Sequence, residues 1–395
     1  MQKCPLPAVF SENSVSQPIE TEYHELKRCL GGINMEQSNK DLCFFLGANS
    51  AAGFYSMFDQ IYDPHDGWRG YIIKGGPGTG KSGLMRKVGT ALEAEGHLPV
   101  WIYCSSDSDS LDAIIFPGLK FFMLDGTSPH CMDPKYPGAV ESILNLGDCW
   151  DKELLMQKKA RIVEYSSACS AYHAQSDRFI AAAGMLKSDS YRLVFPLVDE
   201  AKTESYAKRL VLGNFKGKKS AETGKEYKAL LSGITPKGVV CFEETAEAFC
   251  DTIYIIEDNY GPVSNFLLRN IKNNFLRLGA DVISCWSPLF PEDKLEHLIV
   301  PEYNVAFMTS DYSNKLSLTP SKRINPLRFI DAEALKACKP RLRFNKRAAS
   351  ELLEEAIHLQ KMAKNVHDKL EQCYIQSMNF KKVDQYAEKI IQELL

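Results

Sequence analysis

The chain repeats itself, and that constrains its fold more than any other feature. Residues 71–85 run from Tyr71 through Gly75, Gly76, Pro77, Gly78, Thr79, Gly80, Lys81, Ser82 and Gly83 to Met85, and lie without a gap on residues 254–268 at an offset of 183. The same offset carries Gly96 onto Gly279 and the strand-like residues 100–104 onto the region 282–286. At 184, Leu111 to Pro117 meets Leu295 to Pro301, and at 185 Ser50 to Gly53 meets Thr235 to Gly238. The long helical stretches around His173 and His367 correspond at 194. Windows that recur in order at nearly constant spacing mark a tandem duplication, with the drift that loop insertions give.

Each copy reads as strand, glycine turn, helix, strand, loop, strand, then a polar segment and long helices. That alternation predicts an α/β fold, twice, with parallel sheets covered by helices. Residues 1–40, rich in Ser, Glu and Asn without a sustained period, are expected to be a mobile N-terminal extension. The first copy then spans 41–198, a linker rich in Lys, Glu and Gly spans 199–228 and includes Lys216 to Ser220, and the second copy with its C-terminal helices spans 229–395. Leu352, Leu353, Ile357, Met362, Val366 and Leu370 recur at helical spacing near the end, as core packing requires.

Gly75 to Ser82 fit the pattern G-x-x-x-x-G-K-[ST] between an apolar strand and an amphipathic helix. A loop that wraps a phosphate points its backbone N–H groups inward, through backbone angles that a Cβ would block. It delivers the anion to the positive end of a helix. Lys81 places a cation on the β- and γ-phosphates, and the Ser82 hydroxyl can ligate Mg²⁺. A glycine turn that only joins strand to helix would need neither. The expected nucleotide contacts are therefore Gly75, Gly76, Pro77, Gly78, Thr79, Gly80, Lys81, Ser82 and Gly83, which makes the copies two tandem P-loop NTPase-like domains, the second degenerate.

Magnesium prefers hard oxygen ligands, and Asp125, after four apolar residues, puts a carboxylate at the mouth of a buried strand where a cation would offset its burial. With Ser82 it is the expected metal pair. Asp107 lies in the acidic run 104–112 on the carboxyl edge of the sheet, where it can orient water or accept a proton from a substrate hydroxyl. Ser and Asp there suit turns and helix caps equally well. Lys81, Asp107 and Asp125 are the candidate catalytic residues. The Pro- and Gly-rich loop after Asp125 carries His130, Asp133 and Lys135, a lid or specificity loop in which His130 reads first as a hydrogen-bonding partner and second as an acid or base.

The second copy has lost this equipment. Gly75 becomes Asp258, Gly80 becomes Val263, Lys81 becomes Ser264, Ser82 becomes Asn265, and Asp125 falls on Thr309. Its apolar skeleton, Tyr254, Ile255, Ile256, Leu267 and Leu268, is kept. It should fold like the first copy and not bind a triphosphate in the same way. Lys339, Arg341, Arg343, Lys346 and Arg347 cluster before the last long helix. They read as a solvated basic face, with a cation reaching across to the first loop as the functional alternative.

Composition removes other classes. Lys+Arg 47 against Asp+Glu 50 gives a net charge of -3, so no whole-chain positive field holds a nucleic acid or an anionic membrane. The 12 cysteines contain no close pair, which excludes the usual zinc and thioredoxin spacings and predicts reduced thiols in a cytoplasm. No apolar run approaches the roughly 20 residues of a membrane helix, and the first residues lack a signal-peptide core.

Lys74 to Ser82, the run 104–112 and the segment 125–138 resemble a bacterial family of tandem P-loop NTPases described as ATPases or nucleotide kinases, and together with the repeat the resemblance spans most of the chain after residue 40. It implies ATP binding by the first copy. The chain departs from the family pattern at residues 258–265, where an intact second loop is expected. The expected activity is Mg²⁺-dependent ATP hydrolysis by the first copy, with the second structural or regulatory. The alternatives are a small-molecule or nucleotide kinase on the same loop, or an ATP-sensing module that does not hydrolyse. A protein partner or homo-oligomer remains open.

Overall fold

A computed structural model describes residues 41–128, 132–215 and 223–395. The expected N-terminal extension, His130 and the basic run 216–220 lie outside the described residues.

The duplication is visible in the sheets. In the first half, strands β1 (Leu42–Phe45), β4 (Arg69–Lys74), β5 (Val100–Tyr103), β6 (Leu111–Phe116), β7 (Phe121–Asp125) and β8 (Glu141–Asn145) form a six-stranded sheet of order β1-β5-β6-β7-β4-β8. In the second half, β9 (Glu226–Ala229), β12 (Thr252–Glu257), β13 (Val282–Trp286), β14 (Leu295–Val300), β15 (Val305–Ser310) and β16 (Lys322–Ile324) take the same order, β9-β13-β14-β15-β12-β16. Small antiparallel hairpins precede each nucleus: β2 (Gly47–Ser50) with β3 (Gly53–Ser56), and β10 (Ser232–Thr235) with β11 (Gly238–Cys241). Their turns match in detail. Gly53 and Gly238 both have positive φ, Ser50 Oγ donates to the Gly53 carbonyl, and Thr235 Oγ1 donates to that of Gly238.

The sheets are mixed rather than parallel, which corrects the sequence reading. β6 runs antiparallel to both β5 and β7, and β14 likewise to β13 and β15. Only the short segment 117–120 separates β6 from β7, too little chain for the crossover a parallel neighbour needs.

The helices cross between the halves. After β4 comes α1 (Lys81–Ala94); after β8 come α2 (Lys152–Gln157), the long α3 (Lys159–Val194) and α4 (Glu200–Asn214). The second half has α5 (Glu243–Phe249), α6 (Pro262–Arg277) after β12, the long α7 (Ala332–Ile375) and α8 (Phe380–Leu394). α3 and α7 pair antiparallel: Cys169 lies against Ala363, Ser176 Oγ donates to the Ala356 carbonyl, and Asp189 meets Arg341. Each then delivers the next helix to the opposite sheet. Val383, Ala387 and Ile390 of α8 are buried with Leu84, Val88 and Leu92 of α1, while Ala207, Leu210 and Val211 of α4 share a core with Ile271 and Phe275 of α6.

The crossing points are related by one spacing, 180 residues. Trp150 bridges Met378, and Val198 bridges Ile330. Asp151 N–H donates to the Ser377 carbonyl at 2.7 Å, and Asp331 N–H to that of Leu197 at 2.9 Å. Asp151, Asp331, Asp199 and Asn379 each cap the helix that follows. This spacing revises the correspondence of His173 with His367 at 194. The error is 14 residues, about four helical turns, a slip that leaves the periodicity of a long helix unchanged.

Two further expectations change. The segment expected as a linker, 199–228, contains α4 and most of β9; its charges line the outside of a helix whose Thr203, Ala207, Leu210 and Val211 are buried. Helices pack across these boundaries: α4, from the segment 199–228, lies with α6 of the second half, and α8 lies with α1 of the first. Among the described residues no helix is long and apolar enough to cross a membrane, and the nine described cysteines are free thiols.

Candidate phosphate site

β4 lies between β7 and β8, with Ile73 beside Asp125, so the glycine loop and this carboxylate emerge together from one sheet edge. Gly78 and Gly80 have φ of +66 and +91, the left-handed region that a side chain rarely adopts. A Cβ on Gly75 would lie 2.7 Å from Thr79 Oγ1, which is held by the Gly76 carbonyl. Gly80, which has no side chain, occupies the N-cap of α1, so the cap residue itself leaves the first amides of the helix unengaged.

Lys81 folds back over this loop. Its Nζ donates to the carbonyls of Gly75 at 3.1 Å and Gly76 at 2.9 Å, and stands 3.5 Å from Asp125 Oδ2. Asp125 Oδ1 accepts the Thr127 N–H at 2.9 Å, which fixes the carboxylate. Ser82 Oγ accepts the N–H of Leu111 at 3.0 Å. A hydroxyl and a carboxylate at one loop mouth are the hard oxygen donors that Mg²⁺ takes, so the residues fit that ion. Lys74 braces the surroundings, its Nζ donating to the carbonyls of Gly126 and Met132 and to Asp133, all at 2.8 Å. Lys135 contributes its backbone N–H to the buried Glu141.

Asp107 is both a turn former and a charge partner. It accepts Ser110 Oγ at 2.9 Å and the Asp109 N–H at 3.3 Å, and its Oδ2 lies 3.2 Å from Nζ of Lys364 on α7. Asp109 pairs with Lys237 of the second hairpin at 2.6 Å, and that bond holds its carboxyl below the ordinary value. Ser105 Oγ and Ser108 Oγ in this loop are buried without a hydrogen-bond partner among the described residues.

Sequence reasoning missed the cover over the loop. A Cβ on Gly76 would meet the Tyr374 ring at 2.7 Å, one on Gly78 the Glu371 carbonyl oxygen at 2.7 Å, and one on Gly80 the Phe380 ring at 3.2 Å. The second half thus lies directly on the loop of the first. Lys364 on the same helix is half-buried; burial works against its charge, but Asp368 and Asp107 outweigh it and the ammonium titrates above its usual value. Nothing in the sequence distinguishes this lysine from others on an amphipathic helix. The basic cluster 339–347 sits elsewhere. Arg341 pairs with Asp189 and Lys346 lies over Tyr312, roughly 40 Å along the helix axis from Glu371.

The second loop is arranged differently. Asp258, where Gly75 stands in the first, is buried; its Oδ1 accepts the N–H groups of Tyr260 and Gly261 at 3.0 Å and its Oδ2 that of Ser264 at 2.8 Å. Val263 is fully buried. Asn265 Oδ1 accepts the Leu295 N–H at 3.1 Å, the same tie that Ser82 makes to Leu111. The register of β12 on β15 sets Ile256 beside Thr309, which therefore occupies the place of Asp125. Nearby, His297 is buried; Nδ1 accepts the Thr309 N–H, which leaves Nε2 to donate to Ser232 Oγ at 3.1 Å. Burial first, then Lys294, lowers its pKa to about 3.

No protein-family model matches the chain, and no curated protein or solved structure shows significant similarity to it.

Proposed function

We propose that the first repeat is a P-loop NTPase that binds ATP with Mg²⁺ and hydrolyses it, and that the second repeat is its structural or regulatory partner. The observation that carries this reading is the arrangement of the loop. Two left-handed glycines lead into a helix whose N-terminus has no side-chain cap, with Lys81 turned inward 3.5 Å from Asp125. Backbone N–H groups and a helix N-terminus favour an anion with multiple oxygens, and Lys81 supplies the cation such an anion needs. When bound, Mg²⁺ would be held by Ser82 and Asp125 and would neutralise phosphate charge. Lys81 would move from the Gly75 and Gly76 carbonyls onto the phosphates, and Asp107 would orient the attacking water. The likeness of the motifs to bacterial tandem P-loop ATPases points the same way.

A kinase reading is favoured by one feature, the partly exposed carboxylate of Asp107, which can receive the proton of an acceptor hydroxyl. Single-turnover product analysis with Mg·ATP separates the two. Free phosphate without an acceptor supports hydrolysis; phosphate on a metabolite, formed only when the metabolite is added, supports the kinase. Tight binding without turnover would instead indicate a nucleotide sensor, and absence of binding would defeat all three.

A further inference from the structure

The joints between the long helices and the two loops are related by the internal symmetry, and they differ in one respect. The spacing of 180 that aligns the helix ends sets Tyr191 on Glu371, and these are the residues that approach Gly261 and Gly78 respectively. It also sets Gly184 on Lys364. In the facing loops, Ser110 N–H donates to the Asp107 carbonyl as Asp293 N–H donates to that of Phe290, so Asp107 and Phe290 are counterparts.

At the intact loop the joint is an ion pair, Lys364 with Asp107 at 3.2 Å, backed by Asp368. At the other loop it is apolar: the Cβ that Gly184 lacks would lie 2.5 Å from Ala51 Cβ and 3.8 Å from the Phe290 ring. The fold therefore closes this joint without charge at one end. A half-buried ion pair carries a desolvation cost and is a weak source of stability. The segment carrying Asp107 is also tied to the head of α1, through the Leu111 N–H on Ser82 Oγ.

We infer that Lys364 is a positioning residue for the phosphate site of the first repeat, donated by the second: its ammonium holds the Asp107 carboxylate in place toward the group that attacks the terminal phosphate. The first site is then incomplete without the second repeat. This rests on the nucleotide reading given above.

The test uses the full chain with Mg·ATP and compares Lys364→Met, Lys364→Gln and Lys364→Arg in kcat, KM and nucleotide Kd. Loss of the cation should lower kcat roughly tenfold to a hundredfold, as misplacement of a reacting group does, with KM and Kd within about threefold of the parent. Lys364→Arg should recover most of the rate. Unchanged kcat in the Met and Gln variants overturns the inference. So does an equal loss in all three, Arg included, because that marks a packing role. If Lys364→Met loses its cooperative thermal transition, the Gln and Arg pair decides by the same criteria. Turnover abolished by Lys81→Ala but untouched by Lys364→Gln defeats this inference alone. A parent chain without turnover defeats the hydrolytic reading and the inference with it.

Discussion

The carboxylate of Asp258 accepts the backbone N–H of Ser264 at 2.8 Å, and Ser264 is the residue that stands where Lys81 stands in the first repeat. With the N–H groups of Tyr260 and Gly261 also on Asp258, the second loop carries its own anion, covalently attached and buried. In the first loop no carboxylate accepts the corresponding amides among the described residues. One plan of strand, turn and helix thus appears twice, once with its turn amides tied to an internal carboxylate and once with a lysine folded over its turn carbonyls.

Nucleotide stoichiometry should therefore be one per chain, and Ser264→Ala or Asn265→Ala should leave it at one. Isothermal titration with Mg·ATP checks this, and a value of two would contradict the closed second loop. Asp258→Ala strips three backbone donors of their acceptor and should cost on the order of 3 kcal/mol in urea unfolding, with Asp258→Asn costing less because an amide oxygen still accepts.

Lys81→Ala removes the cation that faces the loop carbonyls and Asp125. ATP affinity should weaken by about 2–3 kcal/mol, the worth of a charge-assisted contact to phosphate, and turnover should fall with it. Calorimetry that finds affinity unchanged would remove the loop from the site.

Acid should expose His297. Its pKa in the folded chain is about 3, depressed by burial and then by Lys294, against 6.5 when solvated. Between those values the unfolded chain takes up a proton that the native chain refuses, so native stability falls as pH drops from 6.5 toward 3, by about 1.4 kcal/mol per pH unit. Asp311 adds to the loss below about 3.8. Burial opposes its charge, but Lys187, Lys294 and the N–H groups of Asn314 and Ser313 outweigh burial and hold its pKa at about 2. From pH 7 to pH 5 the parent should lose about 2 kcal/mol more than His297→Gln. Equal losses in urea titrations would exclude His297 as the source.

Ile390→Ala on α8 should destabilise by about 2–4 kcal/mol, as a buried large-to-small change does. The informative readout is location. Ile390 is buried with Leu84, Val88 and Leu92 of α1, so amide exchange should accelerate in α1 more than in α6, the helix of its own half. Acceleration confined to the second half would contradict the exchange of helices.

Much of this architecture is legible in the chain. The repeat gives the two equivalent sheets, the glycine pattern gives the loop, and Asp125 emerges beside it because four apolar residues place it at a strand end. The antiparallel β6 was readable too, in the few residues between Pro117 and Phe121. Other features were not. Periodicity marks which face of a helix is buried but not what buries it, so the partners of α4 and α8 are invisible from sequence. The buried positions of α4, spaced as a helix requires, were obscured by the Lys- and Glu-rich composition of its outer face. Lys364 lacks any local signal, because its meaning lies in a loop more than 250 residues away.

The crossing of α4 and α8 sets an order on biosynthesis. A ribosome releases α1 hundreds of residues before it makes α8; one side of α1 can already settle on Ile114, Phe116 and Met123 of its own sheet, while the part that Val383, Ala387 and Ile390 cover stays bare until they are synthesised. The front half reaches its final packing only once α8 has been made.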